Sequence, residues 1–286
     1  MPVVERPDGA RIRYEVYGSG YPLLLIAPGG VSSSVESWER SVIKPARLFA
    51  GEFMVIAMDQ RHAGQSFAPL RPFSYDECNA DQLAVLDALG VERAHVYGGC
   101  IGCAHIWSLL RNAPQRISAA VAQDPVGLDE TNTIETFHAM FRPALRLARE
   151  QGVEAVIASA MENPLFVANN AAGPFAPALH ELEAARAEAR RLGSSGYVEL
   201  VERFMAGIWP DNPPYFTASD EWFASCQTPI LVMPGRDPFH PTGVARRICR
   251  IAPKARCLAP DCRDEPNLAG TIEAVRTFLR EHAARR

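Results

Sequence analysis

The sequence predicts an α/β fold, a doubly wound and mostly parallel sheet with a helical insertion, and three observations carry that reading. Short continuous apolar runs bounded by Gly and Pro alternate with amphipathic segments toward both ends of the chain, as parallel strands buried on both faces do. One such run, Ala94-His95-Val96-Tyr97, leads straight into Gly98-Gly99-Cys100-Ile101-Gly102, a strand, a sharp turn and a helix start. From Asp129 to about Cys226 the strand pattern is replaced by long Ala- and Glu-rich helical periodicity.

In chain order, Arg11 to Tyr17 alternates like a half-exposed strand and stops at Gly18-Ser19-Gly20. Leu23 to Ala27 is a continuous buried strand closed by Pro28-Gly29-Gly30, and Phe53 to Met58 is another, ending in Asp59-Gln60-Arg61. Between Asp76 and Leu89 the residues Leu83, Val85, Leu86 and Leu89 mark a helix stopped by Gly90. The strand before Cys100, a helix to about Asn112 and the strand Ile117 to Ala122 follow. After the helical stretch, which includes His180 to Leu192, strand character returns at Ile230 to Met233 and at Ala255 to Ala259; an amphipathic helix with Ile272, Val275, Phe278 and Leu279 comes last. Residues 1–126 and 227–286 are therefore assigned to the sheet core and 127–226 to a helical cap. Ligands of such sheets bind beyond the carboxyl ends of the strands, where Gly30, Asp59 and Cys100 all fall.

Composition narrows the function. A chain of 286 residues suits one catalytic domain with an insertion. Its 29 Lys and Arg against 33 Asp and Glu, with no basic stripe, point away from nucleic acid and from an anionic membrane surface and toward a small molecule. The N-terminus reads as lacking a signal peptide, and the longest apolar run is too short to span a bilayer, so a soluble cytoplasmic protein is expected. Seven cysteines at irregular spacing read as reduced thiols, and no residue spacing calls for a metal or another cofactor. The oligomeric state is not legible, and a homodimer is kept open.

In a G-x-S-x-G turn, glycines let strand and helix approach closely and push the middle side chain out at the top of the sheet. Here that residue is Cys100, placed at the N-terminus of a helix whose dipole favours the thiolate, and it is read as a nucleophile. Two other readings stand beside it: a small buried thiol, and a redox pair with Cys103 in the C-x-x-C spacing Cys100-Ile101-Gly102-Cys103.

Taken with Pro28-Gly29-Gly30, the loop Asp59-Gln60-Arg61-His62-Ala63-Gly64-Gln65-Ser66 and Gly235-Arg236-Asp237, this turn resembles the α/β-hydrolase superfamily over nearly the whole chain. The cysteine is similar to that of dienelactone hydrolases and, in that feature alone, of polyhydroxyalkanoate synthases. The resemblance implies an oxyanion hole from the backbone N–H of Ile101 together with that of Gly30 or of Val31, and an acid at Asp237.

The sequence departs from the family after the last strand, where a histidine is expected and Pro260-Asp261-Cys262-Arg263-Asp264-Glu265-Pro266-Asn267 stands instead. Of the seven histidines, His95, His105 and His282 suit structural roles, His62 a turn, and His138 and His180 the insertion. His240, three residues after Asp237 at the carboxyl end of a strand, is the preferred base, with Asp237 orienting it. Asp264, Glu265, Asp124 and the insertion histidines remain alternatives.

A thiolate attacks without a base, but a missing histidine removes the acid that protonates a poor leaving group. Rates are therefore expected to fall from thioester to aryl ester, alkyl ester and amide. Hydrolysis of a small ester, lactone or thioester through an acyl-enzyme is the first reading; acyl transfer or cyclisation of a thioester, and an inactive ligand-binding protein, are the alternatives. Aromatic residues of the insertion, among them Phe137, Phe141, Phe166, Phe175, Phe204 and Trp209, are expected to supply in part a pocket for an apolar acyl group.

Overall fold

The computed structural model describes residues 1–164 and 171–283. Its eight strands are β1 (Val3–Glu5), β2 (Arg11–Tyr17), β3 (Tyr21–Ile26), β4 (Phe53–Met58), β5 (Ala94–Gly99), β6 (Ile117–Gln123), β7 (Ile230–Met233) and β8 (Ala255–Cys257). They form one sheet in the order β1-β2-β4-β3-β5-β6-β7-β8. Only β1–β2 and β2–β4 pair antiparallel. Between them run α1 (Pro45–Phe49), α2 (Tyr75–Ala88), α3 (Ile101–Asn112), α4 (Ile134–His138), α5 (Arg142–Gln151), α6 (Val153–Glu162), α7 (Ala176–Glu181), α8 (Glu183–Ile208), α9 (Asp220–Ser225), α10 (Thr242–Ile251) and α11 (Leu268–His282).

The strands are apolar throughout because both faces are covered. In β3, Leu24 and Ile26 pack on one face with α2, α3 and α10, through Val85, Leu86, Ile106, Trp107 and Ile248. Leu23 and Leu25 pack on the other with Phe49 of α1 and Val275, Phe278 and Leu279 of α11.

The turn at Cys100 holds β5 and α3 together at a separation that admits no extra methyl group. Cys100 itself has φ 56° and ψ −120°, a left-handed conformation that non-glycine residues hold only where the surroundings over-determine it. A Cβ on Gly98 would lie 2.6 Å from the Gly102 carbonyl oxygen, and one on Gly102 would lie 2.3 Å from that of Ile26 in β3. Gly102→Ala should accordingly push α3 off β3 and destabilise the protein by about 3 kcal/mol, read as a shift in the urea midpoint at unchanged slope. An unshifted midpoint would show that the two elements have room to separate.

The stretch between β6 and β7 is helical as expected but differently divided. The helix expected over His180–Leu192 is broken after Glu181, and α8 then runs through a kink at Gly193 (φ 66°, ψ 179°) to Ile208. Phe137, Phe141, Phe175, Phe204, Trp209 and Phe216 are all buried and stack on one another, mostly edge to face, as the core of this layer. Tyr215, Ala218, Phe223 and Cys226 instead pack back onto the sheet. Phe166 lies outside the described residues. No helix among the described residues is long and apolar enough to cross a membrane.

Candidate active site

Cys100 is half-buried at the foot of a cleft of about 360 Å³ lined by Pro28, Gly29, Ser37, Arg40, Ser41, Val42, Gln123, Asp124, His240 and Arg263. The C-terminal ends of β3, β5, β6 and β7 and the loop after β8 all contribute, because a parallel sheet brings its carboxyl ends to one edge.

Asp237 and His240 reach the cleft together. The chain after β7 makes a tight antiparallel turn in which Asp237 pairs with His240. The Asp237 carboxylate accepts the backbone N–H of Phe239 at 2.9 Å and of His240 at 3.1 Å, and its two oxygens lie 2.9 and 2.8 Å from His240 Nδ1. This fixes the ring so that Nε2, which is buried and has no regular hydrogen bond, is left to the Cys100 thiol beside it. A Cβ on Gly235 would meet the His240 Cβ at 2.3 Å and Asp124 Oδ1 at 3.2 Å, so only glycine lets base and carboxylate close in from two sides.

The electrostatics follow from these contacts. Burial alone would raise the Cys100 thiol, but the His240 charge and hydrogen bond, with the backbone N–H groups of Gly29 and Ile101, outweigh it and hold the thiol below its ordinary range. Burial alone would likewise lower His240; the Cys100 thiolate and the Asp237 carboxylate outweigh it and push the imidazole up to about 10. At neutral pH the His240 imidazole therefore carries its proton, beside a thiol whose ionisation it favours. Next to His240, burial pushes the Asp237 carboxyl less than His240 and the backbone N–H groups pull it, and it stays below the usual carboxylate range.

The other candidates separate cleanly. Asp124 lines the cleft, with φ 50°, but both of its oxygens are held by Arg263, the residue that stands in the loop where a histidine was missed. Asp264 pairs bidentately with Arg236 at 2.7 and 2.6 Å, and Glu265 is exposed; neither lines the cleft. Asp59 is spent on the N–H groups of Val35 and Gln65, each at 2.8 Å, and on Arg13. His138 Nε2 bonds the Trp209 carbonyl at 2.8 Å and His180 pairs with Glu181, so the insertion histidines are occupied elsewhere.

Three details bear on the sequence expectations. The backbone N–H groups that lower the Cys100 thiol are those of Ile101 and of Gly29, where the chain turns with φ 121° before the short helix at Gly30–Ser32. Cys103 is fully buried, its thiol 3.3 Å from the Gln123 carbonyl, and burial drives it well above the ordinary range, so the C-x-x-C spacing does not produce an exposed dithiol. None of the described insertion aromatics is among the residues lining the cleft; they bury one another in a cluster that packs against Cys100. Sequence reasoning also missed Ser37 and Arg40, which lie in a short 3-10 helix over Val35–Arg40, and Ser41, which ends it. Among the described residues no group of three His, Cys, Asp or Glu side chains could hold a metal.

Comparison with known proteins agrees with this architecture. The family model described as alpha/beta hydrolase fold matches residues 22–269. The chain is 42% identical over 100 residues to rhodomycin D methylesterase DnrP of Streptomyces peucetius, covering 34% of this chain and 32% of the relative. It is 35% identical over 117 residues to the putative carbamate hydrolase RutD of Azorhizobium caulinodans, covering 41% and 42%. The matches thus span only about a third to two-fifths of the length of these curated relatives. In fold it is similar to a hydrolase from Pseudomonas aeruginosa, with a TM-score of 0.63 and 22% identity over 97% of both chains. The meta-cleavage product hydrolase CumD of Pseudomonas fluorescens gives 0.62 and 19% over 96% of both. Sheet order, the strained turn before α3 and the match over residues 22–269 lead to one assignment: the chain belongs to the α/β-hydrolase fold family.

Proposed function

We propose that the protein is a cysteine-dependent hydrolase of a small ester, lactone or thioester, working through an acyl-enzyme on Cys100. The observation that carries the reading is the meeting of Cys100 and His240 in one cleft, with Asp237 behind His240 on Nδ1 and Nε2 left to the thiol. The Cys100 thiolate attacks the carbonyl carbon, and the oxygen takes up the negative charge between the N–H groups of Gly29 and Ile101. As the C–S bond is kept and the bond to the leaving group breaks, the His240 imidazolium gives its proton to the departing atom. Water then attacks the thioester carbonyl, His240 takes the water proton, and expulsion of the Cys100 thiolate restores the starting state. The segment 127–226 serves as a cap over this edge of the sheet. A reducing compartment such as the cytoplasm suits a chemistry that needs Cys100 as a free thiolate.

The relatives support the bond class, since they are named for methyl ester and carbamate hydrolysis. The expectation that leaving-group ability alone governs the rate loses its premise, because an imidazolium titrating at about 10 is a proton donor at neutral pH. Rapid quench with aryl esters and acyl thioesters should show a burst of one leaving group per chain and one acyl group on Cys100 by intact mass. The dependence of rate on leaving-group pKa should be shallow in the wild type and steep in His240→Gln. Turnover with neither burst nor adduct for both ester types, and an equal leaving-group dependence in the variant, would remove the acyl-enzyme and the acid role of His240 respectively.

A further inference from the structure

The cleft that holds Cys100 has a mostly apolar exposed lining, with the insertion's aromatic cluster packed against Cys100, and charged side chains are set into its wall. Its two arginines differ in one respect. Arg263 is bound to both oxygens of Asp124 and to the Pro234 carbonyl at 3.2 Å. Arg40 has a single long hydrogen bond, 3.4 Å to Ser37 Oγ, and no ion pair among the described residues. The acids nearest to it in the chain are already taken: Glu36 by Arg13 at 2.6 Å, Glu39 by Lys44 at 3.1 Å and Arg47 at 2.8 Å. Arg40 is thus a free guanidinium on the wall of the cleft and on that of a neighbouring cleft of about 450 Å³. Next to it, Ser41 Oγ accepts the Gln123 side-chain amide at 3.0 Å, and none of the described hydrogen bonds takes its own proton.

A guanidinium and a hydroxyl donor lining one concavity are matched by a planar anion that accepts several hydrogen bonds at once. We propose that Arg40 and Ser41 form the binding site for a carboxylate carried by the substrate, so that the ester, lactone or thioester presented to Cys100 belongs to an anionic molecule. The assignment of the bond to be cleaved rests on the hydrolase reading above; the anion site does not. It adds to the expected apolar acyl group a preference for negative charge elsewhere on the substrate.

The test uses the intact protein and two matched alkylating agents, N-iodoacetylglycine and N-iodoacetylglycinamide, which share one electrophile and differ only in a carboxylate against a carboxamide. Modification is followed at Cys100 by peptide mass mapping, which separates it from the exposed thiol of Cys257. The rate ratio of acid to amide at low ionic strength should fall about tenfold in Arg40→Gln, stay near the wild-type value in Arg40→Lys, and shrink with added salt. Arg40 is exposed, so melting temperatures of the variants should match the wild type. The kcat/KM ratio of 4-acetoxybenzoate to 4-acetoxybenzamide should follow the same order. An alkylation ratio unchanged in Arg40→Gln overturns the proposal and leaves the His240 imidazolium as the whole of any attraction for anions. Selective alkylation that depends on Arg40, without turnover of any ester, keeps the anion site and sinks the hydrolase reading; steady turnover with a ratio indifferent to Arg40 does the reverse.

Discussion

Cys100→Ala is expected to lose turnover by about 10⁴-fold or more and to lose the acyl adduct altogether, because nucleophile and base act as a unit and removal of either disables both steps. Cys103→Ala should stay within about twofold of the wild type, since its thiol is buried and bonded to main-chain carbonyls of the turn. The sign of the pH dependence follows from the pair. Activity should rise through a pKa below the ordinary thiol range as Cys100 ionises, and should fall near pH 10 as the His240 imidazolium loses its proton. In His240→Gln the thiol loses the charge that holds it down, so the acid limb should move to higher pH while the alkaline limb disappears. Comparable losses in Cys100→Ala and Cys103→Ala, reversed by reductant, would count against a lone nucleophile. An acid limb that stays in place in His240→Gln would count against the ion pair.

The second large effect concerns stability. Burial pushes His62 and His105 down to about 3 and His95 down to about 4, with Arg61 adding to the burial at His62. Each is held neutral in the fold but binds a proton near 6.5 once unfolded. Above that value neither state is protonated and nothing is lost; as pH falls from 6.5 toward the folded pKa, the unfolded chain gains protons that the fold refuses. By pH 4.5 the three together remove on the order of 8 kcal/mol, against about 5–15 kcal/mol for a typical domain. Asp59 and Asp124, whose carboxyls burial raises, work in the opposite direction and broaden the transition. Circular dichroism against pH should therefore show the fold lost between roughly pH 4 and 5. In His62→Asn, which keeps a residue tolerant of the φ of 69° at that position, the dependence of stability on pH should be about one third shallower. A native signal persisting to pH 3 would show that at least two of these imidazoles are solvated.

Much of this was legible from local pattern. The run from Ala94 to Gly102 contains its own strand, glycines and helix start, so Cys100 could be placed without knowing anything distant. His240 was preferred by exclusion, and its spacing from Asp237 pointed to the turn that joins the two side chains. What was not legible depended on contacts between remote segments or on the direction of a single N–H. Arg263 and Asp124 are 139 residues apart in sequence and meet only because β6 and the loop after β8 share an edge. That the Gly29 N–H comes close to Cys100 follows from the turn at Gly29, with φ 121°. The insertion's aromatic residues carry the same periodicity whether they line a pocket or fill a core, and here they fill a core. Arg40 reads as an ordinary surface charge until its acidic neighbours are seen to be engaged elsewhere.

Asp237 and His240 sit on one short turn, and this changes what the site depends on. Where base and acid come from separate loops, their mutual position is only as secure as the docking of the strands that carry them. Here they are three residues apart, and the contact between them closes a loop of almost no length, so its entropic cost is small. β8, at the open edge of the sheet with only three residues and two of them exposed, is then free to fray without parting acid from base. The turn behaves as a self-contained cassette: what the sheet must supply is one strand end aimed at Cys100 and a glycine at position 235. The terminal strand could shorten or drift with the contact between Asp237 and His240 intact.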